Sequence, residues 1–168
     1  MNWKQVSKDP LPLPNNPRYT KRGLGFAVVF LVFALGGFTD SIYLTAKHYS
    51  GGPIPCAIFT GCDTVTTSAY SMFLGIPVAL LGALYYFGVL ALTLMYLDKP
   101  VVTRLRRAAI LTPLGFLASF YFTFLQFFIL HAFCFYCLVS ALFSTILFGA
   151  GMIVFALRHR VHESEGNP

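Results

Sequence analysis

The chain has 168 residues and a formal net charge of +6, yet only 11% of its residues are charged and 57% are hydrophobic. In a typical soluble domain about half of the residues are apolar and about a quarter are charged. This composition therefore excludes an ordinary soluble domain and predicts a protein of the lipid bilayer. Because the cations flank apolar segments, the positive charge indicates membrane topology, and we expect no nucleic-acid partner.

The two ends of the chain are predicted to be short tails around one membrane domain, residues 21–160. Residues 1–20 are rich in proline, a composition that favours a mobile cytoplasmic tail, and residues 161–168 are predicted to form a second one. Within the domain, four apolar segments of about 24 residues are each long enough to cross the bilayer, since at about 1.5 Å per residue such a helix covers roughly 36 Å. The predicted spans are residues 23–46, 74–97, 108–131 and 133–157.

The distribution of lysine and arginine predicts the orientation of the spans. These residues are retained on the cytoplasmic side, whereas loops that lack them are translocated. Of the twelve, only Lys47 lies in the long loop 47–73, and the others flank the opposite ends of the spans. We therefore expect a multi-pass protein of the cell inner membrane with both termini cytoplasmic. The loop 47–73 and the short connection 131–133 would then lie on the periplasmic side, together with all four cysteines.

The loop between the first two spans contains a predicted amphipathic helix over residues 64–73. Its apolar residues recur at helical spacing, and its serines and threonines take the other positions. Asp63 or Thr64 is suited to cap its start, and Gly75 with Pro77 marks its end. The prediction is thus an all-α membrane protein, a four-transmembrane-helix bundle whose outer face is capped by this short helix. The alternative is an interfacial loop that only joins two spans.

The four cysteines form two pairs. Cys56 and Cys62 lie in the loop with five residues between them, and Cys134 and Cys137 form a C-x-x-C motif in the fourth apolar segment. Three interpretations compete, namely two structural disulfides, a four-cysteine zinc site and a redox relay. A zinc site of this kind uses a C-x-x-C-like pair with two to four intervening residues from each half. The loop pair is spaced too widely for this, so we expect no metal.

Physical chemistry favours the relay. A thiol at the start of a helix is stabilised as thiolate by unpaired backbone amides and the helix dipole, and the thiolate is the species that exchanges disulfides. Cys134 is predicted to lie at such a start. A structural bridge between residues three apart would remove little entropy from the unfolded chain. Cys137 lies one turn deeper, near the outer edge of the membrane, where a quinone can approach from the lipid.

The sequence CAIFTGCDTVTTSAYSMFLGIPVALLGALYY, followed by CFYC in the last span, resembles the vitamin K epoxide reductase family, particularly its bacterial members. The likeness extends over nearly all of residues 23–157. It combines the loop cysteine pair, Ser68 six residues after the second cysteine, the GIPVALLG opening of the second span and the C-x-x-C motif. The disulfide-bond formation protein B family also has four spans, but its two kinds of cysteine pair occur in the reverse order.

The resemblance implies a quinone-dependent thiol:disulfide oxidoreductase that supports disulfide bond formation in secreted proteins. Cys56 would exchange with the thiols of a thioredoxin-like partner. Cys62 would then pass electrons on by attacking the bridge between Cys134 and Cys137 at Cys134. Cys137 would reduce the quinone, either ubiquinone or menaquinone. Because many bacterial relatives carry a fused thioredoxin-like domain and this sequence ends without one, we expect a thioredoxin-like thiol oxidase to act in trans.

The residues expected beside the quinone, in addition to Cys137, are Ser68, Val78 and Ala141. Relatives that act on vitamin K place a tyrosine four residues after the C-x-x-C motif and an asparagine in the second span. Here Ala141 takes the first position, and no asparagine occurs between residues 70 and 97. Reduction of vitamin K or its epoxide is therefore an alternative function, and a non-enzymatic membrane scaffold with two structural disulfides is another.

Polar residues near the outer ends of the spans are further candidates for a functional role. Asp40 lies in the first span, and an acid inside a membrane span is a functional candidate by default. We expect it to be solvated at the interface or hydrogen-bonded to a neighbouring helix. His48 and His131 are predicted on the outer side, where either is able to supply the protons that quinone reduction requires.

Overall fold

The computed structural model describes residues 17–52, 54, 61–98 and 102–165. This part of the chain forms five helices, and a 3-10 turn and a small hairpin connect the second helix to the third. The helices are α1 (Pro17–Ser50), α2 (Cys62–Thr67), α3 (Val78–Asp98), α4 (Val102–Leu125) and α5 (Phe135–Glu165). The 3-10 turn covers Ala69–Ser71, the strands are β1 (Met72–Phe73) and β2 (Ile76–Pro77), and a wider π turn, Gln126–Leu130, continues α4.

Within the described residues, four helices are long and apolar enough to cross a membrane, which confirms the predicted four-span, mostly α-helical class. The second span begins at Val78, later than predicted, because the hairpin occupies the preceding residues. Helical structure also extends into the predicted tails, from Pro17 and as far as Glu165. Proline suits the first helical turn because its φ is fixed and the missing N–H has no helical partner there. The candidate spans are Gly23–Ser50, Val78–Asp98, Thr103–Leu130 and Phe135–Ala156.

The amphipathic helix predicted over residues 64–73 starts earlier and is shorter in the structure. α2 covers Cys62–Thr67, and the chain is extended at Ser68, with φ −64° and ψ 158°. The Ser68 hydroxyl donates to the Val65 carbonyl at 2.8 Å, and the Ser71 hydroxyl donates to the Ser68 carbonyl at 2.7 Å. Hydroxyl bonds of this kind compete with the helical backbone pattern. The helix therefore stops before Ser68 although the apolar spacing continues.

A two-stranded hairpin replaces the predicted end of that helix. β1 pairs antiparallel with β2, with Met72 opposite Pro77 and Phe73 opposite Ile76. The two residues between the strands, Leu74 and Gly75, both have positive φ, at 52° and 82°. A two-residue hairpin turn of type I′ requires positive φ at both central positions. The turn therefore reverses the chain just before α3 begins.

The four long helices form a ring in which α1 and α4 each pack against α3 and α5. Phe30, Tyr86 and Leu147 are fully or almost fully buried in the main core. Gly37 of α1 lies directly against the ring of Tyr86. The hydroxyl of that tyrosine donates to the Ser140 carbonyl at 2.8 Å, which links α3 to α5. Small residues and interhelical hydrogen bonds of this kind stabilise helix packing in membranes.

Pro113 lies inside α4 and lacks the N–H that would bond the Ala109 carbonyl. The hydroxyl of Thr112 donates to that carbonyl instead, at 2.8 Å. Gly151 of α5 packs against the same hydroxyl, so the neighbouring helix encloses the bond. No water is available in the bilayer core to satisfy a freed carbonyl, and a side-chain bond takes its place.

Two smaller clusters mark opposite ends of the bundle. Ala27, Tyr96 and Leu105 pack where α1 starts, α3 ends and α4 starts. The arginines of the first turns of α4 are at this end. The other cluster lies where α1 ends and α5 starts, and it includes Leu44 and Cys134. Cys62, Cys134 and Cys137 therefore lie at the end of the bundle opposite the arginines of α4.

We predict that Gly37→Ala destabilises the bundle, because the new methyl group would overlap the ring of Tyr86. The ring is buried and its hydroxyl is bonded to α5, so it cannot move aside freely. The expected loss in free energy of unfolding is about 1–3 kcal/mol, measured by unfolding in detergent. Gly25→Ala, in the same helix, is the matched control because no atom lies near its Cβ position. Equal stability of the two variants would contradict the packing described.

Candidate active site

The structure brings together one cysteine from each predicted pair. Cys62 is the first residue of α2 and is 1% exposed, and Cys134, immediately before α5, is fully buried. They share one buried cluster, so the loop cysteine and the C-x-x-C motif occupy the same apolar environment. Cys56 lies outside the described residues. The other buried members of the cluster are Leu44, Ile54 and Val65.

The lid, which we define as residues 61–71, is held against the segment that precedes α5. A Cβ atom at Gly61 would lie 2.7 Å from the Phe133 amide nitrogen and 3.0 Å from the Ala132 Cβ, so only glycine permits this approach. On the other side, Oδ1 of Asp63 accepts a hydrogen bond from the Ile54 amide at 2.9 Å. These contacts fix the start of the lid, and with it Cys62, beside the C-x-x-C segment.

Gln126 organises the connection between α4 and α5. Its backbone carbonyl accepts hydrogen bonds from the amides of His131 and Ala132, the second at 3.3 Å. Its side-chain Oε1 accepts a bond from the amide of Cys134 at 2.8 Å. His131 adopts a left-handed conformation, with φ 46°, where the chain turns toward α5. A single buried side chain thus satisfies the buried amide of Cys134 and determines where that cysteine lies.

Sequence reasoning missed Gln126. An amide side chain within an otherwise apolar span was the available signal, because a polar group inside a membrane protein requires a partner. His131, predicted as a proton source, is exposed, and its backbone forms the turn after the π segment. His48, the other predicted proton source, packs edge-on against Tyr49, with ring centroids 5.7 Å apart.

The thiolate form of Cys134 is stabilised by hydrogen bonds. The Cys137 thiol donates to the Cys134 sulfur, and this bond lowers the pKa of Cys134 below its ordinary value. The backbone amides of Cys137 and Tyr136 lower that pKa further, while burial opposes them. Amides in the first turn of a helix have no helical acceptor, so they are free to bond the sulfur. The arrangement agrees with the prediction of a thiolate at the start of the last span.

The cysteines are in two different redox states. Cys62 is disulfide-bonded, whereas Cys134 and Cys137 are free thiols. The loop cysteine and the C-x-x-C pair therefore differ in bonding although they lie at the same end of the bundle.

Cys137 lies among apolar and aromatic groups. It is half-buried and packs against the cysteine cluster, as do Ala79 of α3 and Tyr136. The ring of Tyr136 packs against Tyr43 of α1, with ring centroids 5.1 Å apart. Binding sites for neutral ring compounds are mostly lined by such side chains, with few polar groups. The surroundings of Cys137 therefore fit a quinone better than a charged substrate.

The other residues predicted beside a quinone lie on three different elements. Ser68 follows α2, and its hydroxyl is already bonded to the Val65 carbonyl. Val78 is the first residue of α3, and Ala141 lies one turn after Cys137 in α5. Both are half-buried. Their contact with a quinone stays a prediction.

A cavity of about 750 Å³ lies between the end of α1 and the lid. Thr66 and Thr67 of α2 form part of its wall, next to the first turn that carries Cys62. We call this space the mouth cavity. Its lining residues are Lys47, His48, Gly51, Gly52, Ile54, Asp63, Thr66, Thr67, Ser68, Ala69, Ser71 and Met72.

Asp40 differs from the expectation of a solvated or hydrogen-bonded carboxylate. Its Oδ2 atom is buried and has no hydrogen-bond partner among the described residues. The reason is its neighbourhood in α1, where the residues one turn before and one turn after it pack against α3 and α5. These contacts bury Oδ2 without supplying a donor to it.

We predict that Gln126→Leu lowers the free energy of unfolding by about 1–3 kcal/mol, because the buried amide of Cys134 loses its acceptor. The same variant should raise the pKa of Cys134, since the first turn of α5 is no longer held in place. Thr93→Val is the control, because the buried Thr93 hydroxyl bonds only its own helix, at Val89. Thr93→Val should lower the free energy of unfolding by about 1 kcal/mol or less and leave the titration of Cys134 unchanged.

We also predict that Cys134 ionises at lower pH than an ordinary cysteine, whose pKa is about 8.5. The measurement uses protein in which the C-x-x-C pair is reduced and the disulfide of Cys62 is intact. Its ultraviolet thiolate absorbance should rise at lower pH than that of the Cys134→Ser variant. Cys137→Ala removes the hydrogen bond that lowers the pKa most, so it should shift the titration to higher pH. An unchanged titration in Cys137→Ala would show that this bond does not stabilise the thiolate.

A comparison with protein families identifies the family of the chain. The model of the Vitamin K epoxide reductase family matches residues 28–151. The matched segment includes all four cysteines and reaches from the first turns of the α1 span to Gly151 in α5. The resemblance seen in the motifs is therefore confirmed over most of the chain. The protein is a multi-pass membrane oxidoreductase that belongs to the vitamin K epoxide reductase family.

Proposed function

We propose that the protein is a quinone-dependent thiol:disulfide oxidoreductase that supports disulfide bond formation. Electrons pass from a thioredoxin-like partner to Cys56 and Cys62, then to Cys134 and Cys137, and finally to a membrane quinone. The observation that carries the proposal is the burial of Cys62 and Cys134 in one cluster at one end of the bundle. Disulfide exchange requires direct attack of one sulfur on another, so the two segments must meet.

Electrons pass along the relay by successive disulfide exchanges. Two thiols of the partner reduce the bridge between Cys56 and Cys62, and the partner leaves with a disulfide. The Cys62 thiolate then attacks the Cys134 sulfur of the closed C-x-x-C bridge, and Cys137 leaves as thiolate. Attack of Cys56 on Cys62 restores the loop bridge and releases Cys134. The lowered pKa of Cys134 supports this direction, because a sulfur of lower pKa is the better leaving group.

The last step closes the bridge between Cys134 and Cys137. Two electrons and two protons leave the thiol pair, and the quinone that accepts them becomes a hydroquinone. Cys62 in a disulfide, together with a free Cys134 and Cys137, is the state that precedes this step in the scheme. The quinone, ubiquinone or menaquinone, would be held beside Cys137, with Val78, Ala141 and Ser68 as the further candidates for contact.

The partner is proposed to be a thioredoxin-like thiol oxidase that acts in trans from the periplasm. The mouth cavity supports this, because it offers hydroxyl groups and both charge signs next to the lid that carries Cys62. We further propose an inner-membrane orientation with both termini cytoplasmic. Its support is the separation of the cysteine cluster from the arginines of α4 at opposite ends of the bundle.

The experiment uses the full chain in lipid nanodiscs, a reduced thioredoxin-like protein and a short-chain quinone. Wild-type protein should form hydroquinone and oxidise the partner in equal amounts. Cys137→Ala should reduce hydroquinone formation to background, because the sulfur that completes the last bridge is missing. Quinone reduction by Cys137→Ala at the wild-type rate would refute the role given to Cys137.

Cys56→Ser is the matched variant for the other end of the relay. It should block oxidation of the thioredoxin-like protein, while a small dithiol that bypasses Cys56 and reduces the C-x-x-C bridge keeps quinone reduction partly active. Equal loss with both electron donors would contradict the proposed order of the cysteines. A parallel assay with vitamin K epoxide tests the alternative substrate, and its turnover at a rate equal to that of the quinone would favour that alternative.

A further inference from the structure

Asp40 carries a carboxyl group that the relay of cysteines does not use. It lies within the α1 span, and its buried Oδ2 has no hydrogen-bond partner among the described residues. A buried polar atom without a partner costs free energy, and charged groups inside a membrane are expensive. Among the described residues, the Tyr85 hydroxyl is also buried without a partner, but Asp40 is the carboxyl group of the two and lies at the end of the bundle that holds Cys134 and Cys137.

The contacts on either side of Asp40 show which part of α5 it faces. Gly37, one turn before it, packs against the ring of Tyr86, whose hydroxyl bonds the Ser140 carbonyl at 2.8 Å. Tyr43, almost one turn after it, packs against the ring of Tyr136 at 5.1 Å. Ser140 and Tyr136 lie on the two sides of Cys137 in the helix. Asp40 is therefore at the same depth as Cys137, between the two contacts that join α1 and α3 to this part of α5.

Electrostatics agree with that placement. The charge of Asp40 acts on both sulfurs of the C-x-x-C motif and on the hydroxyls of Tyr86 and Tyr136. These four groups are the titratable groups that face it from α3, from α5 and from the segment before α5. The Tyr86 hydroxyl is already engaged with Ser140, by its carbonyl and by its Oγ at 3.0 Å. Asp40 is the acid of this group with an oxygen left unbonded.

The two histidines, which the sequence suggested as proton sources, lie outside this group. His48 lines the mouth cavity and stacks against Tyr49 at the end of α1. His131 is exposed and caps the π turn before α5 begins. Neither belongs to the buried cluster around the cysteines.

We propose that Asp40 transfers a proton from the Cys137 thiol to the electron acceptor, an inference that rests on the proposed function. When the bond between Cys134 and Cys137 forms, the pair loses two electrons and two protons. The Asp40 carboxylate takes the proton of Cys137, and the resulting carboxylic acid gives it to an oxygen of the quinone. The electron pair goes to the quinone together with this proton, and Asp40 returns to its carboxylate form. The second proton of the hydroquinone is that of the Cys134 thiol or, where Cys134 is already a thiolate, one from water.

The first test separates the two halves of the reaction in full-length protein in nanodiscs. With reduced Cys134 and Cys137 and a short-chain ubiquinone, Asp40→Asn should slow oxidation of the pair about 100-fold, the usual scale of general acid–base catalysis. Exchange between the loop bridge and the C-x-x-C thiols, started with a small dithiol, should stay within about twofold of wild type. Asp98→Asn is the matched control, because Asp98 is exposed at the end of α3, and it should change neither rate. An Asp40→Asn variant that is equally fast, or equally slow in both halves, overturns the proposal.

The second test does not use a quinone. A dithiol/disulfide buffer sets the redox state of the C-x-x-C pair, and the infrared difference spectrum between its two states records carboxyl protonation. The wild-type difference spectrum should contain a carboxyl band that responds to the redox state of the pair, that Asp40→Asn lacks and that Asp40→Glu shifts. Absence of that band overturns the role of Asp40 whatever the acceptor is, and the Asp40→Glu shift decides the question if Asp40→Asn does not fold. A wild-type protein that shows the band but reduces no quinone would refute the proposed function alone.

Discussion

The contact between the lid and the segment before α5 is the constraint on which the proposed relay depends. Gly61 packs so closely against the Phe133 backbone that no side chain fits between them. Because a disulfide bond can move only between sulfurs that touch, the order of electron transfer is a matter of which chain segments meet. Here the segments that meet carry Cys62 and Cys134. A looser lid would leave the same cysteines present but separate.

The bilayer explains much of the remaining polar structure. Without water, each polar group must find a partner within the protein. The Thr112 hydroxyl replaces the bond that Pro113 cannot make, and Gln126 accepts the amide of Cys134. The unbonded Oδ2 of Asp40 is an exception to this pattern at the redox end of the bundle. An exception at that position is what a proton carrier requires, because a fully bonded carboxylate has no free site for a proton.

The two sulfurs of the C-x-x-C motif have different surroundings although only two residues separate the cysteines. Cys134 receives hydrogen bonds at the start of α5, from the Cys137 thiol and from backbone amides, and these lower its pKa. Cys137 is a full turn along the helix and packs among apolar groups of α3 and α5. Hydrogen bonds to a thiolate and an apolar setting favour different tasks. The first suits exchange with another cysteine, and the second suits contact with a lipid-soluble acceptor.

The sequence by itself determined the four spans, the family and the two cysteine pairs, because long apolar runs and short motifs are local properties of the chain. It did not determine the shape of the lid, since hydroxyl bonds at Ser68 and Ser71 outweighed the apolar spacing. Only the tertiary structure showed that Gln126 accepts a bond from the amide of Cys134 and that Oδ2 of Asp40 is buried without a partner among the described residues. Both depend on residues from separate helices meeting in one buried volume. Such meetings follow from packing across the bundle, which no local pattern in the chain specifies.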